Sequence, residues 1–263
     1  MTVTGAYGLR LSGLDAGTWL GVTGGSDWPN VTCSTDSRPD APELSLDVPR
    51  LQLRVRADIA HSELVHPLLG RVASHVAIAR GADGMHAGAI AGREGAWAVI
   101  GRKGAGKSTL LASLNNIGVP IVTDDVLVFR DGAAMAGPRC IDLRPDAHRF
   151  GLGVAVRPTD PRNRIALSPI AAEHRLVGLV HLERSSGETA VEPLGHREAI
   201  QRLLTVRGDK GYPRRLPALL DLAMLPSFVL WRPRSMSGLG ASVAQVARLV
   251  SEPGAQRSRA SVL

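Results

Sequence analysis

The chain has 263 residues, 44% hydrophobic and 21% charged, enough to bury a sizeable core as one domain or as a small lobe joined to a larger one. No apolar run approaches the roughly eighteen residues of a membrane span, and Met1-Thr2-Val3-Thr4-Gly5 lacks a charged and apolar leader pattern, so a cytoplasmic protein with no membrane partner is expected. A net charge of +7 and a pI near 10.4 invite a nucleic-acid reading, but aromatics are only 3%, too few to platform bases, so nucleic acid is not the expected partner.

Between Tyr7 and Arg56 lie short alternating runs, such as Gly8-Leu9-Arg10-Leu11 and Leu51-Gln52-Leu53-Arg54-Val55, separated by the turn-rich stretch Gly21 to Pro42. This pattern predicts a small antiparallel β region. His66 to Arg80 has apolar positions at three-to-four spacing and predicts a helix beginning at a proline. The expected division is a small β-rich portion with one helix over residues 1–84, a core over 85–250, and a disordered tail over 251–263. Cys33 and Cys140 fit no metal-ligand spacing and read as free thiols in a reducing compartment.

Met85 to Ala91 predicts a strand, Gly92-Arg93-Glu94-Gly95 a hairpin turn, and Ala96-Trp97-Ala98-Val99-Ile100 a buried strand of a parallel sheet. The segment that follows, Gly101-Arg102-Lys103-Gly104-Ala105-Gly106-Lys107-Ser108-Thr109, is a complete G-x-x-x-x-G-K-S phosphate-binding loop. Leucines at helical spacing and a stop at Asn115-Asn116-Ile117-Gly118 place a helix after it. Glycines let successive N–H groups turn toward phosphate oxygens, and the helix N-terminus adds positive potential. The ligand class this implies is ATP with Mg²⁺, Lys107 reaching the β- and γ-phosphates and the Ser108 hydroxyl ligating the cation.

Val119 to Phe129 predicts a strand ended or interrupted at Asp124-Asp125, the place where a phosphate-loop protein brings a carboxylate to the metal or the nucleophile. Adjacent carboxylates on an extended chain point to opposite faces, so one can serve the metal while the other meets the acceptor or a supporting partner of the site. Arg130-Asp131-Gly132 makes a turn. Further strands are expected over Leu176 to Leu182 and Ser227 to Trp231, and helices over Arg197 to Val206, Pro217 to Met224 and Ser242 to Val250. Strands alternating with helices around a phosphate loop define an α/β nucleotide-binding core.

Met85-His86-Ala87-Gly88-Ala89, the loop, and Val122-Thr123-Asp124-Asp125-Val126 together resemble the kinase domain of HPr kinase/phosphorylases. Fifteen positions separate His86 from Gly101 and seventeen separate Lys107 from Asp124, as in that family. The resemblance covers Met85 to Phe129. It implies an HPr kinase/PEP carboxykinase-like fold and phosphoryl transfer to a serine hydroxyl. Residues 1–84 do not match the N-terminal domain of the full-length enzymes, and Ala136 to Pro145 looks like the shorter HPr-kinase-related proteins, among them kinases of lasso-peptide precursors. A peptide or small protein is thus the implied partner, rather than HPr, with a homo-oligomer left open.

By matching position, the resemblance implies that Lys107 and the loop amides hold the phosphates, that Asp124 is the base, and that Asp125 lies nearer the metal with Ser108. His86 either orients the carboxylates, contacts phosphate, or is a strand histidine satisfied by backbone. Two rivals stay open: an ATPase or nucleotide-dependent switch in which an aspartate orients water, and a kinase of a small-molecule hydroxyl. Arg139 and Arg144 read either as a clamp on the phosphoryl group or an acidic peptide, or as solvated surface arginines. Gly208-Asp209-Lys210-Gly211-Tyr212 with Arg214 and Arg215 reads as a basic acceptor loop or an ordinary connection.

Overall fold

A computed structural model describes residues 2–13, 20–60, 63–144, 154–155, 162–206, 215–233 and 238–252. The N-terminal part contributes β1 (Thr2–Ala6), β2 (Leu9–Ser12), β3 (Gly21–Thr23), β4 (Asn30–Asp36), β5 (Leu44–Asp47) and β6 (Gln52–Arg56). An irregular helical stretch, Leu64–Leu69, leads into α1 (Gly70–Ala79); His66 is extended, so regular helix follows Pro67. Next come β7 (Asp83–Met85), β8 (Ala87–Ala91), β9 (Ala96–Ile100), α2 (Lys107–Asn116), β10 (Ile121–Thr123), β11 (Leu127–Arg130) and β12 (Ala133–Met135). The chain continues through β13 (Cys140–Leu143), β14 (Val154–Ala155), β15 (Asn163–Ala166), β16 (Ile170–Ala171), β17 (Glu173–Ser185) and β18 (Ala190–Leu194). The last elements are α3 (His196–Thr205), α4 (Leu216–Ala223), β19 (Ser227–Pro233) and α5 (Leu239–Ser251).

The molecule is thus a mixed α/β protein with several sheets. In the central one, β9 pairs parallel with β17 and β17 with β19, while β8 joins β9, β10 joins β8, and β18 joins β19, all antiparallel. Alternation sorts its side chains onto two faces. Trp97, Val99, Val180, Leu182, Phe228 and Leu230 pack with Leu110, Leu111 and Leu114 of α2 and Val243 and Val246 of α5. Ala96, Ala98, Ile100, Leu179 and Val229 pack on the opposite side, with Ala199 and Leu203 of α3 and Leu222 and Ala223 of α4. The sheet is therefore covered on both faces, and its β9–α2 junction carries the phosphate-loop sequence.

Two expectations are corrected. The N-terminal sheet is mixed: β2–β4 and β4–β6 run parallel, and β16, far off in sequence, pairs parallel with β3 on its edge. The turn-rich stretch hides β3 and β4; in β4, buried Val31 and Cys33 alternate with exposed Thr32 and Ser34. Met85 to Ala91 is two strands, because β7 pairs with β11 whereas β8 pairs with β9 and β10; His86 sits at the break. β9 has a parallel partner on one side and an antiparallel one on the other.

The hairpin and the two thiols fall as expected. The Gly92–Gly95 hairpin closes with a Gly92 N–H to Gly95 carbonyl bond of 2.8 Å. Cys33 and Cys140 are buried free thiols. α5 runs one residue into the expected tail, and residues 253–263 lie outside the described residues. Among the described residues no helix is long and apolar enough to cross a membrane.

Arg139 is neither a surface arginine nor a clamp. It is 1% exposed, and its guanidinium donates to the carbonyls of Ile121 (2.6 Å), Val122 (3.0 Å) and Ser168 (3.1 Å), tying β10 to the segment after β15. Burial brings its pKa down to about 10, so it remains charged at neutral pH. Replacing Arg139 with Met would remove the guanidinium from the Ile121 and Ser168 carbonyls and leave Val122 with the Gly137 N–H. A loss of about 3 kcal/mol is expected in urea unfolding; a change below about 0.5 kcal/mol would show that the guanidinium has no structural role.

Candidate functional site

β9 ends at Ile100 and α2 begins at Lys107, so the intervening loop lies at the carboxyl end of a central parallel strand. Gly104 (φ 84°) and Gly106 (φ 91°) are left-handed, a region where a side chain is strained. Gly106 caps α2 without a side-chain hydrogen bond, which leaves the first N–H groups of the helix without a side-chain acceptor. Those groups and the curled loop suit an anion. Arg102, Lys103 and Gly104 are exposed, Ala105 is buried, and Gly101, Gly106, Ser108 and Thr109 are half-buried.

Lys107 is 6% exposed. Its ammonium donates to the Gly101 carbonyl at 2.8 Å, lies 3.5 Å from the Arg102 carbonyl, and meets His86 Nε2 at 3.0 Å. Burial lowers its pKa, while the charges of Asp124 and Asp125 work in the other direction. On its other side, His86 Nδ1 faces the Asp125 carbonyl at 2.9 Å and the Asp125 Oδ1 at 3.3 Å. Nδ1 faces two acceptors and Nε2 faces a donor, so these partners assign a neutral ring with its proton on Nδ1. His86 thus has both a backbone partner and a carboxylate partner, two of the roles its sequence position left open.

Asp124 and Asp125 occupy the break between β10 and β11. The chain there is not extended: Asp125 is left-handed at φ 67°, and the turn is closed by Val126 N–H on the Asp124 carbonyl (2.8 Å) and Thr123 Oγ1 on the Val126 carbonyl (2.8 Å). The expectation of carboxylates on opposite faces of a strand is therefore corrected. Ser108 Oγ donates to Asp124 Oδ1 at 3.1 Å, so Asp124, rather than Asp125, is the carboxylate beside Ser108. Asp124 is 8% exposed; burial and the Asp125 charge raise its pKa, and the Ser108 hydroxyl opposes them. Asp125 is held below the usual carboxylate range by the His86 hydrogen bond, which outweighs burial, and its side chain is 47% exposed.

The turn is braced from the N-terminal sheet, which sequence reasoning missed. Tyr7 OH lies 3.3 Å from Thr123 Oγ1, and a Cβ on Gly137 would stand 2.2 Å from that same oxygen, so the chain passes too close there for any side chain. A second missed feature is a buried charge network. Arg164 donates from Nε and Nη2 to both Asp142 oxygens (2.8 and 2.9 Å), His66 Nδ1 lies 3.0 Å from Asp142 Oδ2, and Arg164 Nη2 also bonds the His66 carbonyl at 2.7 Å. No sequence signal marks it, because its members are 76 and 22 positions apart. Arg144 is exposed at the end of β13. The Gly208–Arg214 part of the basic loop lies outside the described residues, whereas Arg215 is committed to Asp83 and the Gly81 carbonyl.

Among the described residues no cluster of three or more His, Cys, Asp or Glu is placed to hold a metal alone. The donor set at Ser108, Asp124 and Asp125 is instead hard oxygen, the kind that holds Mg²⁺ together with phosphate oxygens. No family model and no curated protein matches the chain. Among solved structures the chain is similar to the Hpr(Ser) kinase/phosphatase from Coxiella burnetii, with 15% sequence identity and a TM-score of 0.34 over 63% of this chain and 96% of that one. A likeness this slight carries no functional argument, which rests on the side chains above.

For Asp142, burial alone would raise the pKa, but the Arg164 and His66 bonds outweigh it and bring the value to about 2. A depressed carboxylate stabilises the fold above its unfolded value near 4, and that stabilisation disappears as pH falls through about 2. About 2 kcal/mol of unfolding free energy is therefore expected to disappear between about pH 4 and pH 2. Asp142→Asn should be less stable at neutral pH and lack this share of the acid sensitivity in urea unfolding at several pH values; identical acid profiles would contradict the assignment.

Proposed function

We propose that the chain is an ATP- and Mg²⁺-dependent kinase that transfers the γ-phosphate to a hydroxyl, the acceptor being a serine of a peptide or small protein. The observation that carries this reading is the convergence of a buried Lys107, held by Gly101 and His86, with Asp124 on Ser108 and Asp125 on His86. The sequence resemblance over Met85 to Phe129 supplies the serine, and the likeness of Ala136 to Pro145 to the shorter HPr-kinase-related proteins supplies the peptide.

In this reading the loop amides and the first N–H groups of α2 receive the phosphates, and the Lys107 ammonium exchanges Gly101 and His86 for phosphoryl oxygens. Ser108 and Asp124 would hold Mg²⁺, which when bound supplies neutralisation of the oxyanion charge. A buried carboxylate with raised proton affinity, sharing a hydroxyl and making no direct ion pair among the described residues, has room for a cation at its oxygens. This exchanges the roles that the resemblance implies for the two aspartates. Asp125 is the more exposed, so an acceptor can reach it, and the His86 N–H orients it; its lowered proton affinity makes positioning, rather than basicity, its contribution as the group that receives the acceptor's proton. The acceptor oxygen then bonds to the γ-phosphorus as the bond to the bridging oxygen breaks, and ADP departs with that electron pair.

Labelled Mg·ATP with a serine-containing candidate peptide tests the reading. Label should move to the peptide, with little acceptor-independent phosphate release; release at a comparable rate without peptide would favour the ATPase rival, and label on a small hydroxyl compound alone the other. Asp125→Asn should retain nucleotide affinity and lose about 10²-fold or more in transfer, whereas Asp124→Asn should chiefly raise the Mg²⁺ requirement. The opposite pattern would return Asp124 to the role of base.

A further inference from the structure

β17 and β19 run parallel, and their register sets Arg184 opposite Arg232, two positions beyond Leu182 opposite Leu230. Those leucines lie in the core packed with α2, and strand alternation carries both arginines to the same face, past the carboxyl ends of the strands where β9 turns into the loop. Arg184 donates from Nη2 to the Gly104 carbonyl (3.2 Å) and from Nη1 to the Pro233 carbonyl (3.1 Å). Arg232 is 2% exposed, reaches the Gly106 carbonyl only at 3.5 Å, and its Nε has no partner. A Cβ at Gly106 would stand 3.2 Å from Arg232 Nη1 and 3.6 Å from Arg184 Nη2, so both guanidiniums crowd one point of the loop.

No carboxylate among the described residues forms an ion pair with either arginine. Burial, and then the charge of Arg184, push the pKa of Arg232 down, and no acidic group among the described residues offsets them. Two adjacent cations, one buried with an open N–H, are unfavourable alone. An oxyanion between them turns the same arrangement favourable, since guanidiniums bind phosphate through charge-assisted hydrogen bonds.

We propose that Arg184 and Arg232 form a second phosphate subsite on the rim of the loop, taking phosphoryl oxygens beside Gly104 and Gly106. It deepens the nucleotide reading above and rests on it. The anion is a phosphoryl group, either of the nucleotide's own chain or of free phosphate or pyrophosphate.

Calorimetric titration of the full chain with Mg·ATP, Mg·ADP, inorganic phosphate and pyrophosphate tests this, comparing wild type with Arg184→Gln and Arg232→Lys. At least tenfold weaker Mg·ATP and Mg·ADP binding in the variants, with no phosphate binding to wild type, supports the subsite and assigns it to the nucleotide. Phosphate or pyrophosphate binding that is lost in the variants while Mg·ATP is kept supports the subsite and assigns it to the free anion. Unchanged binding of every ligand that wild type binds overturns the subsite and leaves the nucleotide reading standing. Wild type that binds neither nucleotide nor phosphate removes both. Arg184 is only half-buried, so its variant decides the matter even if Arg232→Lys does not fold.

Discussion

A buried ammonium is the constraint from which the site follows. Lys107 is almost sealed from water, so its N–H groups must meet acceptors inside the protein; Gly101 and His86 Nε2 supply two. Because Nε2 must offer a lone pair, the imidazole proton resides on Nδ1 and has to find an acceptor of its own. That acceptor is Asp125, through both its carbonyl and its carboxylate. One cation thereby fixes a tautomer, and the tautomer fixes where a carboxylate stands.

The rest of the fold holds this chain of donors and acceptors in register. Asp125 can face His86 because the chain turns through a left-handed residue between β10 and β11, and His86 is available because the chain breaks between β7 and β8. Tyr7 presses on the turn from the N-terminal sheet, and Arg139 pins the carbonyls of β10 that precede it. Val128 and Met135, from the strands beside the turn, pack into the core of the N-terminal sheet and α1, so the two sheets share buried surface next to the site.

Much of the local structure around the candidate site was legible in the sequence because it depends on adjacent residues. The loop is eight adjacent positions, β9 is a continuous apolar run, α3 and α4 fall within a residue of their expected bounds, and α5 begins three residues earlier than its spacing suggests. What was not legible depends on distant partners. Nothing in Met85 to Ala91 says that its two halves serve different strands. Nothing in an Asp-Asp pair signals a left-handed second residue, so the disposition of the carboxylates, and the placing of Asp124 on Ser108, had to come from coordinates. Arg139 looks like any arginine among turn formers until three carbonyls surround it, and Arg184 and Arg232 meet only because two parallel strands align them. The parallel pairing of β2, β4 and β6 escaped for the same reason: alternation gives the faces of a strand but not the direction of its neighbour.

The most direct measurement is the heat of Mg·ATP association with the full chain, beside the same titration of Lys107→Ala. Saturable one-to-one binding that needs Mg²⁺ in wild type, weakened by two orders of magnitude or more in the variant, is the result this arrangement of Lys107, His86 and the aspartates predicts. Wild type that takes up no nucleotide, or a variant that binds as tightly as wild type, would contradict it.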